Sequence, residues 1–249
     1  MESLIVFAKA PVEGKVKTRL GADTPLSTSQ ICRLYNAFLQ DTLRTASLCK
    51  GRRIFLNFTP PGSADMMETL ALKSIPRNRL AIFPQEGDSF HARIGFAFKQ
   101  ARAMGATSCV MIGSDSPTLS PRILDDAFDT LNSRGGAALG PSGEGGLYLI
   151  GLSGEIQPDF EKIFGHGAEL LNFSRWLREE NIPFSLLEEV GDVDVAHDLV
   201  SVAAHIVAME NTGNKGSGFP ANTARIMDEL KITIVRDNGT RSKRVVLGE

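Results

Sequence analysis

Apolar positions along this chain follow two alternating rhythms. Leu4-Ile5-Val6-Phe7-Ala8 is an unbroken apolar run, the pattern of a strand covered on both faces of a parallel sheet. Ile31, Leu34, Tyr35, Phe38, Leu39 and Thr42 then recur at helical spacing and predict an amphipathic helix with its stripe turned inward. The alternation continues. A strand over 54–58 closes at Thr59-Pro60-Pro61-Gly62, and a short helix near 64–72, a strand over 80–83 and a helix over 90–104 follow, the last with Ile94, Ala97, Phe98 and Ala101 on one face. Cys109-Val110-Met111-Ile112 is a second fully apolar strand, ending in Gly113-Ser114-Asp115-Ser116-Pro117. Ser120 caps the next helix and Pro121 occupies its first turn. Strands over 137–139 and 147–150 flank a glycine-rich loop at 140–146. A helix near 168–180, a strand over 184–187 and a helix running to about 209 complete the pattern. Strands alternating with helices imply an α/β fold with a mostly parallel sheet.

The rhythm breaks at residues 211–218, NTGNKGSG, a stretch with almost no apolar side chains that reads as a linker. The chain therefore divides into a main domain over 1–209 and an extension over 210–249. The extension predicts a short helix over 221–230 and a hairpin whose strands, 231–236 and 241–247, are joined by Asp237-Asn238-Gly239-Thr240. A lone hairpin is marginal, so it should pack on the main domain or on a neighbour. Addition to a neighbour's sheet edge makes a homodimer an expectation.

Composition narrows the function. With 249 residues the chain can bury a sizeable core. A formal net charge of -2 argues against a dedicated nucleic-acid binder. No apolar run approaches the roughly 18 residues of a transmembrane helix, and Glu2 precedes the first apolar run where a signal peptide would be basic. Cys32, Cys49 and Cys109 are odd in number and lack CxxC spacing, so they read as thiols of a reducing, cytoplasmic compartment.

Four segments could carry chemistry. The loop from Lys9 to Arg19 sets Lys9, Lys15, Lys17 and Arg19 against one acid, Glu13, directly after the first strand. Ligands of open α/β sheets bind beyond the carboxyl ends of the strands, so this loop suits phosphate oxygens, with a solvated charged loop as the alternative. Asp115 stands at the tip of a buried strand, where it could hold a hard cation or bond its own turn. Asp192 and Asp194 share a face if the backbone is extended and would repel without a cation between them; Asp194 could equally cap the following helix. Gly140-Pro141-Ser142-Gly143-Glu144-Gly145-Gly146 precedes a strand and so does not match a dinucleotide fingerprint. GxxxxGK[ST], HExxH and GxSxG are absent, and His91, His166, His197 and His205 show no ligand spacing.

The order Phe7-Ala8-Lys9-Ala10-Pro11 with Gly14-Lys15-Val16-Lys17-Thr18-Arg19-Leu20, then Gln85-x-Gly87 with Arg93, Gly113-Ser114-Asp115-Ser116-Pro117, Leu139-Gly140-Pro141 with Gly145-Gly146, and Asp192-Val193-Asp194 with Asp198-Leu199, resembles a known family over about residues 4–205. It is the bacterial glycosyltransferase-like family of nucleotide-diphospho-sugar transferases with the GT-A fold, of the arsenosugar-biosynthesis or radical-SAM-associated type. Phospholactate guanylyltransferase is more distantly similar. The resemblance implies a Rossmann-like sheet binding a nucleoside diphosphate sugar, or a nucleoside triphosphate, over the first loop. Ala8, Lys9, Pro11, Gly14, Lys15, Lys17, Thr18 and Arg19 would contact base and phosphates, together with Gln85, Arg93, Gly145 and Gly146. Asp115, Asp192 and Asp194 would hold magnesium or manganese, and Asp115, Lys17 and Asp194 would be catalytic. Glycosyl transfer to a small acceptor is the leading expectation, with nucleotidyl transfer releasing pyrophosphate as the alternative. A third reading, a non-catalytic nucleotide-binding protein of the same fold, is motivated by departures from the family pattern at Ser89, His91, Glu144, Leu147 and His166.

Overall fold

The computed structural model describes residues 1–154, 156–165, 167–213, 215–236 and 242–248. His166, the expected hairpin turn at 237–240 and Arg241 lie outside the described residues.

Strand β1 (Glu2–Lys9) lies near the middle of a seven-stranded sheet. It pairs in parallel with β2 (Arg53–Thr59) on one side and β4 (Ser108–Ile112) on the other, and β2 pairs in parallel with β3 (Leu80–Pro84). Beyond β4 comes β6 (Leu147–Ser153), antiparallel to both β4 and β5 (Ala137–Pro141). Strand β7 (Phe184–Leu186) closes that edge in parallel with β5, giving the order β3-β2-β1-β4-β6-β5-β7. This is the GT-A, Rossmann-like, mostly parallel sheet that the sequence implies. The apolar runs sit at its centre: Leu4, Val6, Val110 and Ile112 are buried on one face and Ile5, Cys109 and Met111 on the other, as parallel strands require.

Helices cover both faces. Against one lie α2 (Thr28–Leu48), α3 (Ala64–Leu72) and α5 (Pro121–Arg134), through Leu39, Leu43, Met67, Ile123 and Phe128. Against the other lie α4 (Phe90–Ala103), α6 (Phe160–Phe164) and α7 (Glu169–Glu179), through Phe98, Phe160, Ile163, Phe173 and Leu177. The five-residue α1 (Thr18–Ala22) and α6 were not expected from the sequence, since a single turn shows no periodicity.

The start of α2 illustrates how local chemistry sets a boundary. Ser27 Oγ accepts from Gln30 N at 3.2 Å, and Gln30 Oε1 accepts from Ser27 N at 2.8 Å, a reciprocal capping box. Ser27→Ala should cost about 1 kcal/mol. In thermal unfolding that should lower the midpoint by about 2–4 °C for a chain of this size.

The C-terminal extension shares a core with the main sheet's helices. Helix α8 (Ala196–Asn211) precedes the linker, and α9 (Ala221–Glu229) packs on α2. Strands β8 (Ile232–Arg236) and β9 (Lys243–Leu247) pair antiparallel and lie on α8. Phe219, Ile226, Met227, Leu230 and Val245 join Leu34, Phe38, Leu199 and Ile206 in one apolar cluster. No helix among the described residues is long and apolar enough to cross a membrane.

Candidate functional site

The carboxyl ends of β1 and β4, the β5–β6 hairpin and the segment after β7 meet at one edge of the sheet, around a cavity of about 780 Å³. That volume lies within the range of small-molecule sites. Reversal of β6 brings its first residue to this edge, so a short turn at 142–146 overhangs the cavity.

Lys17 is the hinge of the basic loop. Its backbone is left-handed, with φ 48° and ψ 42°, a conformation costing a non-glycine residue roughly 1–2 kcal/mol. The turn aims the side chain inward. Lys17 Nζ stands 2.7 Å from Asp115 Oδ2 and 3.7 Å from Asp194 Oδ1, and its side chain is 5% exposed against 40% and 44% for the two partners. Arg19 Nη1 donates to the other oxygen of Asp194 at 2.6 Å. A lysine thus lies buried between two half-open carboxylates, arranged as a charge relay from the basic loop to both acidic segments.

Those segments are fastened to each other through the backbone, since Val193 N donates to Asp115 O at 2.9 Å. Asp194 does not cap α8. Asp198, one turn into the helix, accepts from both Asp194 N and Val195 N at 2.9 Å, which frees the Asp194 side chain for Lys17 and Arg19. The expected alternative role for Asp194 is corrected on this point: a carboxylate at the third helical position reaches back to the free amides. Burial pushes the Asp192 carboxyl above its ordinary range; the charges of Asp115 and Asp198 add to that, and Lys17 opposes it.

Beneath the acids lies a hydroxyl that sequence reasoning assigned only to the core. Tyr35 Oη, on α2, accepts from Lys9 N at 3.0 Å and lies 2.9 Å from both Lys9 O and Ser114 Oγ. It therefore joins the end of β1 to the residue preceding Asp115. Burial, with the charge of Asp115 adding, pushes the phenol well above its usual range, so it stays protonated. A phenol within an apolar helical stripe is itself a sequence cue, because a buried hydroxyl needs partners. Tyr35→Phe leaves Lys9 N without this partner and should cost about 1–3 kcal/mol, read as a lower unfolding midpoint.

Of the expected site residues, Ala8, Lys9, Lys15, Lys17, Thr18, Arg19, Gln85, Arg93, Gly146, Asp115, Asp192 and Asp194 line the cavity. Pro11, Gly14 and Gly145 belong to the flanking turns and do not line it; Gly14 and Gly145 supply φ of 71° and 79°. Gln85 is buried and donates its amide to Ala8 O and Asn57 O, at 3.1 and 3.2 Å, locking the loop after β3 to β1 and β2. Arg93 donates to Gly87 O at 2.9 Å. Phe7, which the sequence marked only as part of a motif, and Phe90, Phe164 and Glu169, which it did not single out, also line the cavity. Among the described residues no group of three or more His, Cys, Asp or Glu side chains is already gathered as a metal cage, and Lys17 stands between two of the three expected ligands.

Comparison with curated proteins gives no match. Among solved structures, a candidate nucleotide-diphospho-sugar transferase from Desulfovibrio desulfuricans G20 is 26% identical, covers 92% of this chain and 95% of its own, and superposes with a TM-score of 0.76. A 4-diphosphocytidyl-2C-methyl-D-erythritol synthase from Anaerococcus prevotii DSM 20548 shares the fold at 10% identity and a TM-score of 0.54, over 83% of this chain and 96% of its own. A cytidylyltransferase from Leptospira borgpetersenii does so at 14% identity and a TM-score of 0.51, over 92% and 94%. The model of a family described as an uncharacterized protein conserved in bacteria, DUF2064, matches residues 42–165.

Proposed function

We propose that this chain is a nucleotide-dependent transferase that seats the diphosphate of a nucleoside diphosphate sugar against Lys17 and Arg19 and passes the glycosyl group to a small acceptor. The observation that carries the reading is the meeting of Lys17 with Asp115 and Asp194 at the carboxyl edge of the sheet, inside a cavity of substrate size. The likeness to the D. desulfuricans protein along nearly the whole chain supports it. A departing diphosphate gains negative charge, and fixed cations stabilise that charge more in the transition state than in the ground state. Lys17 is held nearly out of solvent, where its charge is least screened.

The residues also fit a divalent cation. Magnesium takes hard oxygen ligands and commonly uses one or two protein carboxylates, with substrate phosphates completing its shell, so a ready-made cage of three is not required. Asp115 and Asp194 would hold the ion, with Asp192 beside them. When bound, it would neutralise the diphosphate and position it. Lys17 and Arg19 share that task from the side of the basic loop.

Two release assays test the reading. The protein is incubated with a panel of nucleoside diphosphate sugars, and separately with nucleoside triphosphates and phosphorylated acids, with magnesium and with a chelator. Magnesium-dependent release of nucleoside diphosphate is the expected result. Release of pyrophosphate from a triphosphate would replace glycosyl by nucleotidyl transfer, and binding without turnover of any donor would reduce the chain to a nucleotide-binding protein.

A further inference from the structure

Part of the cavity lining is aromatic, chemically unlike its charged residues. Phe90, the first residue of α4, is 58% exposed. Its ring stands edge-on to two others, Phe7 of β1 at 5.9 Å and 84°, and Phe164 at the end of α6 at 5.7 Å and 74°. Phe164 in turn leans on Phe160, whose ring stacks on the buried Phe98 at 5.7 Å. Three elements from one face of the sheet thus converge on an aromatic shelf with a buried foundation. Phe7, Phe90 and Phe164 all line the same cavity as Lys17 and Asp115.

The shelf is not explained by folding. Burying a phenylalanine stabilises a protein by about 1.5–3 kcal/mol, and Phe90 leaves most of that unused. It packs on its two neighbours at steep interplanar angles and lines the same cavity as the charged Lys17, Arg19 and Asp115. A ligand bound through a diphosphate at Lys17 carries a ring at either end of that group, a nucleobase or a sugar. Both rings have a flat face that stacks on an aromatic side chain, and neither is recognised by the cationic wall. Position also matters: Phe90 follows the loop that Gln85 locks against the ends of β1 and β2, so the shelf is held in register with the basic loop.

We propose that the Phe7–Phe90–Phe164 shelf is the stacking subsite for a ring of the substrate, with Phe90 as the contact residue. The inference rests on the nucleotide-dependent reading of the cleft. Its test is calorimetric titration of the whole chain, as wild type, Phe90→Ala and Phe90→Tyr, with magnesium pyrophosphate, nucleoside diphosphates and nucleoside diphosphate sugars. Phe90→Ala should weaken ring-bearing ligands roughly tenfold, as loss of one stacking contact does, and leave pyrophosphate unchanged. Phe90→Tyr should restore the affinity. A loss already present with nucleoside diphosphates assigns the shelf to the base; a loss confined to the nucleotide sugars assigns it to the sugar. Ring-bearing ligands that bind the wild type and Phe90→Ala equally would overturn the shelf and leave the cationic site standing. Failure of every ligand, pyrophosphate included, to bind the wild type would overturn the reading of the cleft and the shelf with it. Because the ring is mostly exposed, unfolding midpoints of the three proteins should agree, which separates lost stacking from lost structure.

Discussion

On the glycosyl transfer proposed above, Lys17→Ala should slow release of nucleoside diphosphate from the preferred donor by about two to three orders of magnitude, the loss expected when a preorganised electrostatic contact to developing charge is removed. The effect has two physical sources. The ammonium is withdrawn from the diphosphate, and Asp115 and Asp194 lose the cation that stands 2.7 and 3.7 Å from them. Backbone strain provides an internal control. Residue 17 sits at φ 48°, where glycine is unstrained. Lys17→Gly should therefore be more stable than Lys17→Ala by about 1 kcal/mol and yet equally inactive. Steady-state rates and thermal unfolding of the two variants separate chemistry from strain. Turnover of Lys17→Ala within threefold of the wild type would remove Lys17 from the mechanism.

The second large effect concerns stability. Asp41→Ala should destabilise the chain by about 3 kcal/mol or more and lower its unfolding midpoint by roughly 10 °C. Asp41 lies on α2 and is 2% exposed. Its Oδ1 accepts from Asn222 N and Nδ2 at 3.0 and 2.8 Å, and its Oδ2 from Thr223 N and Oγ1 at 2.8 and 2.7 Å. Helix α9 has no side-chain cap of its own, so a carboxylate from a residue 180 positions away in the chain, roughly, satisfies the free amides of its first turn and complements its dipole. Truncation strands four donors at once. Asp41→Asn retains one carbonyl oxygen and should fall between the wild type and alanine. A midpoint unchanged in Asp41→Ala would show that the apolar contacts of Phe219, Ile226 and Val245 alone hold the extension.

How far the sequence could be read depended on the physical cause of each feature. The apolar runs at Leu4–Ala8 and Cys109–Ile112 became central strands because burial on both faces removes every polar alternative. The bounds of α3 matched residue for residue, and the Ser120-Pro121 start of α5 is in place, with Ser120 Oγ accepting from Arg122 N. Helices α1 and α6 were invisible because five residues cannot show a repeat. Within the site, the charged residues were legible because lysines and aspartates cluster in loops that follow apolar strands. Tyr35 and Phe90 were not, for opposite reasons. Tyr35 occupies an inward position of an amphipathic helix, and its hydroxyl meets Lys9 and Ser114 only through the packing of α2 on the sheet. Phe90 is an apolar residue at a helix start, which pattern alone assigns to the core. The capping role offered as an alternative for Asp194 belongs to Asp198, because an aspartate suits both the approach to a helix and its first turn and sequence does not say which carboxylate turns toward the amides.

Strand β6 runs against its neighbours, and that reversal determines how the cavity can be altered. Parallel strands would have needed a long crossover between β5 and β6, whereas here a five-residue turn makes the connection and overhangs the ligand space. Residues inserted at 142–146 would enlarge or narrow the entrance without rethreading a single strand, so substrate size could be retuned at this turn while the sheet that holds Lys17 and Asp115 stays as it is.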